Sequence, residues 1–143
     1  MNPSVIQLLI DLADQKAKAA SIALASALKN EQSSKEKSNT LYQFANQYED
    51  NLSQKALSGI SISEYRNTRQ FITNIEKIAV QQSAYIQFAK DAVTQRQADF
   101  REIEKKRLIY EILQKKQIKL TTARANQREQ ANSDELSVMR KGF

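Results

Sequence analysis

The chain has no cysteine, histidine or tryptophan, and its 143 residues include only two glycines and one proline. Without imidazole and thiol groups it has no histidine base, no cysteine nucleophile and no zinc or iron–sulfur site of the usual kind. Gly59 and Gly142 stand alone, so the glycine-rich loops that bind nucleotide phosphates are missing as well. We therefore expect no catalytic residue, no metal site and no cofactor, and a protein that is not an enzyme.

Segments that would insert into a membrane are also missing from the sequence. The first apolar stretch, Val5 to Ile10, is interrupted by Gln7 and is followed by Asp11 and Asp14. It has no preceding basic residue, which is unlike a secretory signal, and no other run approaches the length of a bilayer span. The absence of cysteine fits a reducing compartment. We expect a cytoplasmic protein with no direct membrane span.

The rarity of helix-breaking residues predicts two long helices. Asn2 and Pro3 form a favourable start, because Asn can cap a helix and Pro is tolerated at its first position. The next glycine is Gly59, and Ser61 with Glu64 then matches a capping box. The predicted fold is all-α, a single antiparallel coiled-coil hairpin with helix one at about 3–57, a turn at about 58–61, helix two at about 62–131 and a frayed tail at 132–143.

Apolar residues form two competing stripes with coiled-coil spacing on each predicted helix. Residues that face each other in the first stripe have numbers that sum to 119, as for Tyr48 with Phe71, and in the second stripe the sum is 117, as for Leu24 with Val93. The first stripe also includes Leu41, Phe44, Ile75, Ile78, Tyr85 and Ala89, and the second also includes Ala45, Leu52, Ile72 and Ala79. A two-helix seam is too narrow to bury both, so we expect a wide apolar band with one edge exposed; core of a larger bundle is the alternative. Polar residues in the first stripe predict a weak, easily bent middle: Asn30, Ser34, Lys37, Gln82, Arg96 and Asp99.

The positive charge is concentrated near the end of helix two. The net charge is +6, and residues 101–128 alone contain nine basic and three acidic side chains, whereas residues 1–57 are balanced. In the 119 register residue 117 pairs with residue 2, so everything beyond residue 117 extends past helix one as a basic single helix. A solvated face, a site for nucleic acid or anionic lipid, and insertion into an acidic protein cavity are the three interpretations.

A protein partner is favoured for this basic helix. From residue 114 to residue 142 it has no aromatic side chain on which a base could stack, which argues against nucleic acid. Ile112, Ile118 and Leu120 are interspersed with Gln and Lys and leave little continuous apolar face for a membrane. A generic basic coil that binds nucleic acid or lipid is nevertheless kept as an alternative function.

Three segments of the sequence carry a family resemblance. They are LYQFANQYEDNL before the glycine turn, YRNTRQFITNIEKI after it, and the basic REIEKKRLIYEILQKKQ. Together they resemble the flagellar export protein family FliJ, over nearly the whole chain and most specifically from about residue 40 to 80; the terminal MRKGF is similar too. Stalk proteins of virulence type III secretion systems share this layout and are the alternative.

The resemblance implies a non-enzymatic stalk that is similar to the central shaft of rotary ATPases. In the flagellar type III protein export apparatus its helix termini would enter the pore of the hexameric export ATPase. Its turn end would face the membrane-embedded export gate and bind the cytoplasmic domain of that gate. Export chaperones are further implied partners. The implied location is cytoplasmic and peripheral at the inner face of the cell membrane.

The resemblance also implies which residues bind each partner. If the gate-binding residues are exposed, the true seam lies nearer the second stripe than the 119 register places it. Carried onto this sequence, the gate-binding patch is Leu41, Phe44, Tyr48, Phe71, Ile75, Ile78 and Gln82, with Lys37 at its border. The ATPase-binding residues are the basic ones of the terminal end: Lys105, Lys106, Arg107, Lys115, Lys116, Lys119 and Arg124.

Overall fold

Two α-helices joined by a short turn make up the part of the chain that the computed structural model describes, residues 2–141. Helix α1 covers Pro3–Ser58, 56 residues, and helix α2 covers Ile62–Lys141, 80 residues. They pack against each other in opposite directions as a hairpin, and residues 2–141 contain no strand. The prediction of an all-α coiled-coil hairpin is confirmed.

Both helices begin with the caps that the sequence predicts. At the start of α1, the backbone N–H of Ser4 donates to Asn2 Oδ1 at 3.0 Å. At the start of α2, the backbone N–H of Glu64 donates to Ser61 Oγ at 3.1 Å. These bonds satisfy amide groups that have no partner within the helix. The Glu64 carboxylate lies 3.6 Å from Lys55 Nζ on α1, and this ion pair spans the turn.

Helix α2 continues beyond Ala131, the residue at which the sequence predicts its end. It reaches Lys141, because no glycine or proline interrupts the chain between Gly59 and Gly142. Arg140 and Lys141 occupy its last turn, where positive charge interacts favourably with the helix dipole. Gly142 and Phe143, the end of the predicted frayed tail and of the MRKGF segment, lie outside the described residues.

The hairpin divides into two compact units. Unit 1 comprises Met1–Ala19 and Phe100–Phe143, and unit 2 comprises Ala20–Asp99. Unit 1 therefore contains the start of α1 with the terminal part of α2. Unit 2 contains the turn with the parts of both helices that lead into and out of it.

The seam of unit 2 repeats every three or four residues on each helix. Its polar member is Ser38, which is buried, whereas the neighbouring Lys37 is exposed. The prediction of Lys37 in the seam is therefore wrong: a shift of one residue places a small hydroxyl there and leaves the ammonium group in water. The apolar residues buried in this unit are Ala27, Ala45, Leu52, Ile72, Ile75, Ala79, Ala89 and Val93.

This seam takes residues from both predicted stripes. Leu52, Ile72 and Val93 come from the second stripe, and Ile75 and Ala89 come from the first. Of the other large members of the first stripe in this unit, Leu41 is half-buried, and Phe44, Tyr48, Phe71, Ile78 and Tyr85 stay exposed beside the seam. The structure thus has the wide apolar band with one exposed edge that the sequence predicts, because one row of side chains on each helix fills the space between the two backbones.

The seam of unit 1 is built mainly by α1. Its buried residues are Ile6, Ile10, Ala13 and Ala17, again three or four positions apart. The residues of α2 between Ile103 and Gln117 that share this spacing are only half-buried. Unit 1 is therefore held together by fewer fully buried side chains from α2 than from α1.

Gly59 has a backbone φ of +91°, a conformation that L-residues with a side chain rarely adopt. Replacing it with Ala should destabilise the hairpin by about 1 kcal/mol through backbone strain, since no atom crowds the added Cβ. The stability of Gly59→Asn should lie between that of the natural chain and that of Gly59→Ala, because Asn tolerates positive φ better than Ala. Urea unfolding followed by circular dichroism measures this, and equal stability of Gly59→Ala and the natural chain would contradict it.

Leu52 is 2% exposed in the seam of unit 2, and Leu57 on the same helix is 91% exposed. Leu52→Ala should lower the free energy of unfolding by about 2–4 kcal/mol, because it removes buried methyl groups and leaves a cavity. Leu57→Ala, the matched control, should change it by less than about 0.5 kcal/mol. The same urea titrations check the pair, and similar losses in both variants would disprove the seam assignment.

Candidate protein-binding surfaces

Four large side chains form an exposed surface next to the turn, here called the turn patch: Phe44, Tyr48, Phe71 and Ile78. Each is between 40% and 49% exposed. The Tyr48 and Phe71 rings make an edge-to-face contact with centroids 5.0 Å apart, which confirms that these two residues pair across the hairpin. Rings held together in this way present a preformed apolar surface to water.

The heptad pattern explains why the turn patch is exposed. Phe44, Phe71 and Ile78 each come directly before a buried seam residue, respectively Ala45, Ile72 and Ala79. A residue in that position lies at one flank of the interface and not between the helices. The flank is apolar on both helices, so the turn patch belongs to both.

The other residues of the predicted gate-binding set lie deeper. Ile75 is buried in the seam, and Leu41 and Gln82 are half-buried. Lys37, the predicted border residue, is exposed. The structure therefore brings the seven predicted residues to one region of unit 2 but leaves only four large side chains open to a partner.

The opposite flank of unit 2 carries a charged cluster. Arg69 Nη1 donates to both carboxylate oxygens of Glu49, at 2.7 and 2.9 Å, and Arg69 Nη2 donates to the Tyr65 hydroxyl at 3.3 Å. The hydrogen bond to Tyr65, followed by the bond to Glu49, raises the pKa of Arg69 above its usual range. Near the turn this flank therefore carries charged groups that pair with one another, in contrast to the apolar turn patch.

Phe88 belongs to neither predicted stripe and to neither predicted binding set, although it is among the most exposed apolar side chains of unit 2. With Tyr85 it lies at a shallow groove whose α1 wall is formed by small residues, Ala23 and Ser26 among them. The signal that could have found it is the same as for Phe44: an aromatic residue directly before a seam position, here Ala89.

The terminal part of α2 in unit 1 is open to solvent over a long stretch. Every residue from Ile118 to Lys141 is exposed. The hydrogen bond from Gln114 Nε2 to Gln7 Oε1, 2.8 Å long, lies just before this stretch. Pro3 and Ile6 of α1 line a shallow pocket with α2 as far as Thr122, and beyond Thr122 α2 continues as a helix that α1 does not cover, because α1 begins at Pro3.

The seven predicted ATPase-binding residues differ in how their charges are balanced. Arg107 is half-buried, with Asp14, Glu104 and Glu111 each within 3.7 Å of its guanidinium group. Lys105 lies 3.6 Å from Glu102. Lys106 is exposed beside them. No ion pair within residues 2–141 involves the other four, which are exposed: Lys115, Lys116, Lys119 and Arg124.

The described residues contain neither a cluster of metal ligands nor a membrane-spanning helix. Between residues 2 and 141, no three acidic side chains come together as a metal site. Neither α1 nor α2 contains a stretch long and apolar enough to cross a bilayer. The surfaces that the structure does provide are an apolar patch at the turn and an uncovered basic helix.

Comparison with known proteins identifies the family of the chain. The family model described as flagellar FliJ protein matches residues 3–141, nearly the whole chain. Comparisons with curated proteins and with solved structures give no significant match. The family is a non-catalytic component of flagellar protein export. The chain belongs to the flagellar FliJ family and is a stalk-type component of the flagellar export apparatus.

Proposed function

We propose that the chain is a non-enzymatic central-stalk subunit that binds two different partners through its two units. The terminal end of unit 1 inserts into the pore of the hexameric export ATPase. The turn patch of unit 2 binds the cytoplasmic domain of the export gate. The observation that carries the proposal is the uncovered basic helix from Ile118 onward, in a chain whose family is flagellar. This match favours the flagellar over the virulence alternative.

The charge distribution supports insertion into a protein cavity. Lys115, Lys116, Lys119 and Arg124 project from a helix without acidic partners in the described structure, so an acidic cavity could pair with them on entry. Exposed ammonium groups gain little from isolated contacts in water, but gain more when several meet a complementary surface. Residues 114–141 contain no aromatic side chain, which disfavours single-stranded nucleic acid as the ligand.

The turn patch supports binding of the export gate by apolar contact. Aromatic side chains at an exposed, rigid surface are the common anchors of protein interfaces. Tyr48 and Phe71 already contact each other, so a partner would not need to order them. Ile75 is buried in the seam, where it supports the packing of the turn patch and does not contact the partner.

Coupling between the two partners requires that each binds some states of the apparatus more tightly than others. In the proposed role the basic helix favours assembled or active states of the ATPase ring. The subunit thereby acts in the cytoplasm, peripherally at the inner face of the cell membrane. Export chaperones are further proposed partners. Electron micrographs of ATPase rings with and without the chain test the proposal: filled pores and altered ATP turnover are expected, and empty pores with unchanged turnover would refute it.

Reversing charge on the basic helix should weaken ATPase binding. The triple variant Lys115→Glu, Lys116→Glu, Lys119→Glu should bind the ring about tenfold or more weakly, with a reduced dependence on salt. A control of equal net charge carries Lys29→Glu, Lys77→Glu and Lys90→Glu in unit 2, which are all exposed. Titration of labelled chain with ATPase rings at several salt concentrations measures both; equal losses in the two variants would show that only net charge matters.

Truncating the aromatic pair of the turn patch should weaken gate binding. Tyr48→Ala with Phe71→Ala should reduce affinity for the isolated cytoplasmic domain of the gate by about tenfold or more, because both are buried by the partner. ATPase binding should be unaffected. Phe88→Ala, which removes an exposed ring elsewhere in unit 2, is the control. Isothermal titration calorimetry measures the change; full affinity in the double variant would rule out the turn patch.

A further inference from the structure

Unit 1 carries a second exposed apolar surface, and no partner has been assigned to it above. Five side chains form it, and it is called here the terminal groove: Val5, Leu9 and Leu12 of α1 with Ile109 and Leu113 of α2. Leu9 is half-buried, and the other four are 37–54% exposed. Four of the five are therefore large apolar groups left in water.

The contacts of unit 1 place these residues on one flank of the hairpin. Gln7 and Asp14, which directly follow the buried Ile6 and Ala13, contact α2 through Gln114 and Arg107. Residues that follow seam positions thus occupy one flank, and residues that precede them occupy the other.

The terminal groove lies on that other flank. Leu9 precedes the buried Ile10, and Leu113 precedes Gln114. Val5, Leu12 and Ile109 lie three or four residues from these two and share their side of the helix. Paired helices have axes 8–10 Å apart, so two such rows line a groove along the hairpin.

Charge is unequal on the two flanks. Three lysines border the terminal groove, Lys16, Lys106 and Lys116, each directly before a seam position, against the single acidic Glu102. Asp14, Glu104 and Glu111 lie on the opposite flank, where they surround Arg107. The groove therefore has an apolar floor and a positive border.

We propose that the terminal groove binds one amphipathic α-helix of a protein partner, with an apolar stripe flanked by acidic residues. The partner helix would lie along the groove and complete a local three-helix bundle, which buries the leucines of both helices. Its carboxylates would meet Lys16, Lys106 and Lys116. This goes beyond the proposed function, which uses basic side chains and the turn patch but none of the five groove residues.

Two other occupants fit the groove less well. A second copy of this chain would bring its own lysine border against Lys16 and Lys106, and like charges repel. An anionic membrane would suit the lysines, but the five groove residues include no aromatic side chain, and aromatic rings are the usual anchors at the membrane interface. Both are outcomes of the experiment below.

The test uses the full chain and a fluorescent designed peptide of about 21 residues, three heptads with leucine in the stripe and Glu at the flanks. A peptide with Lys in place of Glu is the matched probe. Fluorescence anisotropy should show binding of the Glu peptide about tenfold or more tighter than of the Lys peptide. Absence of binding, or equal binding of both peptides, would overturn the proposal.

The variant Leu12→Gln with Ile109→Gln removes one apolar group from each wall and leaves every charge in place. It should weaken binding of the Glu peptide about tenfold, whereas Leu8→Gln with Leu108→Gln should not, although these two residues, each 58% exposed, are equally apolar. Circular dichroism checks that both variants stay helical. If the control variant loses as much affinity for the Glu peptide as the groove variant, the site assignment is wrong.

Two further measurements separate the other occupants. Binding to vesicles of phosphatidylglycerol that is lost in the groove variant, without peptide binding, would replace the proposal with a lipid site. Concentration-dependent dimers in analytical ultracentrifugation that are lost in the groove variant would replace it with self-association. Because the groove variant keeps Lys115, Lys116 and Lys119, unchanged stimulation of the ATPase by it would separate failure here from failure of the proposed function.

Discussion

Packing of two helices along a seam one side chain wide is the constraint on which the rest of this structure depends. An interface between two helices buries the a and d positions of each heptad and leaves the neighbouring positions at its edge. The chain has more apolar residues than those positions can take. Leu52 and Ile72 enter the seam completely, whereas Phe44 and Phe71 remain beside it, one residue away.

The two flanks of the seam have separate chemistry as a consequence. One flank in unit 2 holds Arg69 and Glu49 in a two-point ion pair, and one flank in unit 1 holds Arg107 among three carboxylates. The Arg69–Glu49 and Arg107–Asp14 pairs connect the helices while their side chains stay partly exposed, so they cost little desolvation. The other flank of each unit carries large exposed apolar side chains, which are available to other proteins.

The fold was predictable from the sequence because its signals are local. Asn2, Ser61 and Gly59 mark the ends of the helices by cap and turn chemistry that acts within a few residues. The predicted contact of Tyr48 with Phe71 followed from antiparallel pairing in the 119 register. The seam assignment was harder, because two stripes offset by one residue have nearly the same spacing, and the choice between Lys37 and Ser38 depends on both helices together.

The binding surfaces were predictable only in part, because they too depend on contacts between the two helices. A basic segment is visible in composition, but the pairing of Arg107 with Asp14 joins residues far apart in the chain, and periodicity does not show it. Val5 and Ile109 are exposed because the polar contacts between the helices of unit 1 lie on the opposite flank. Once the seam residues are known, the apolar side chains of the band separate into a buried row and an exposed row.

The uncovered end of α2 has a thermodynamic consequence for whatever binds it. Beyond Thr122 no residue of α1 lies alongside the described part of α2, so the folding equilibrium of this segment depends on local propensity and on pairs of side chains three or four residues apart. Most helical stability in proteins comes from packing against other elements, and this segment lacks that contribution. Binding of a partner that encloses this segment must therefore offset the loss of conformational entropy when the segment becomes fully ordered. Substitutions that stabilise or weaken the free helix change this cost, so they can adjust the affinity without any change at the contact surface.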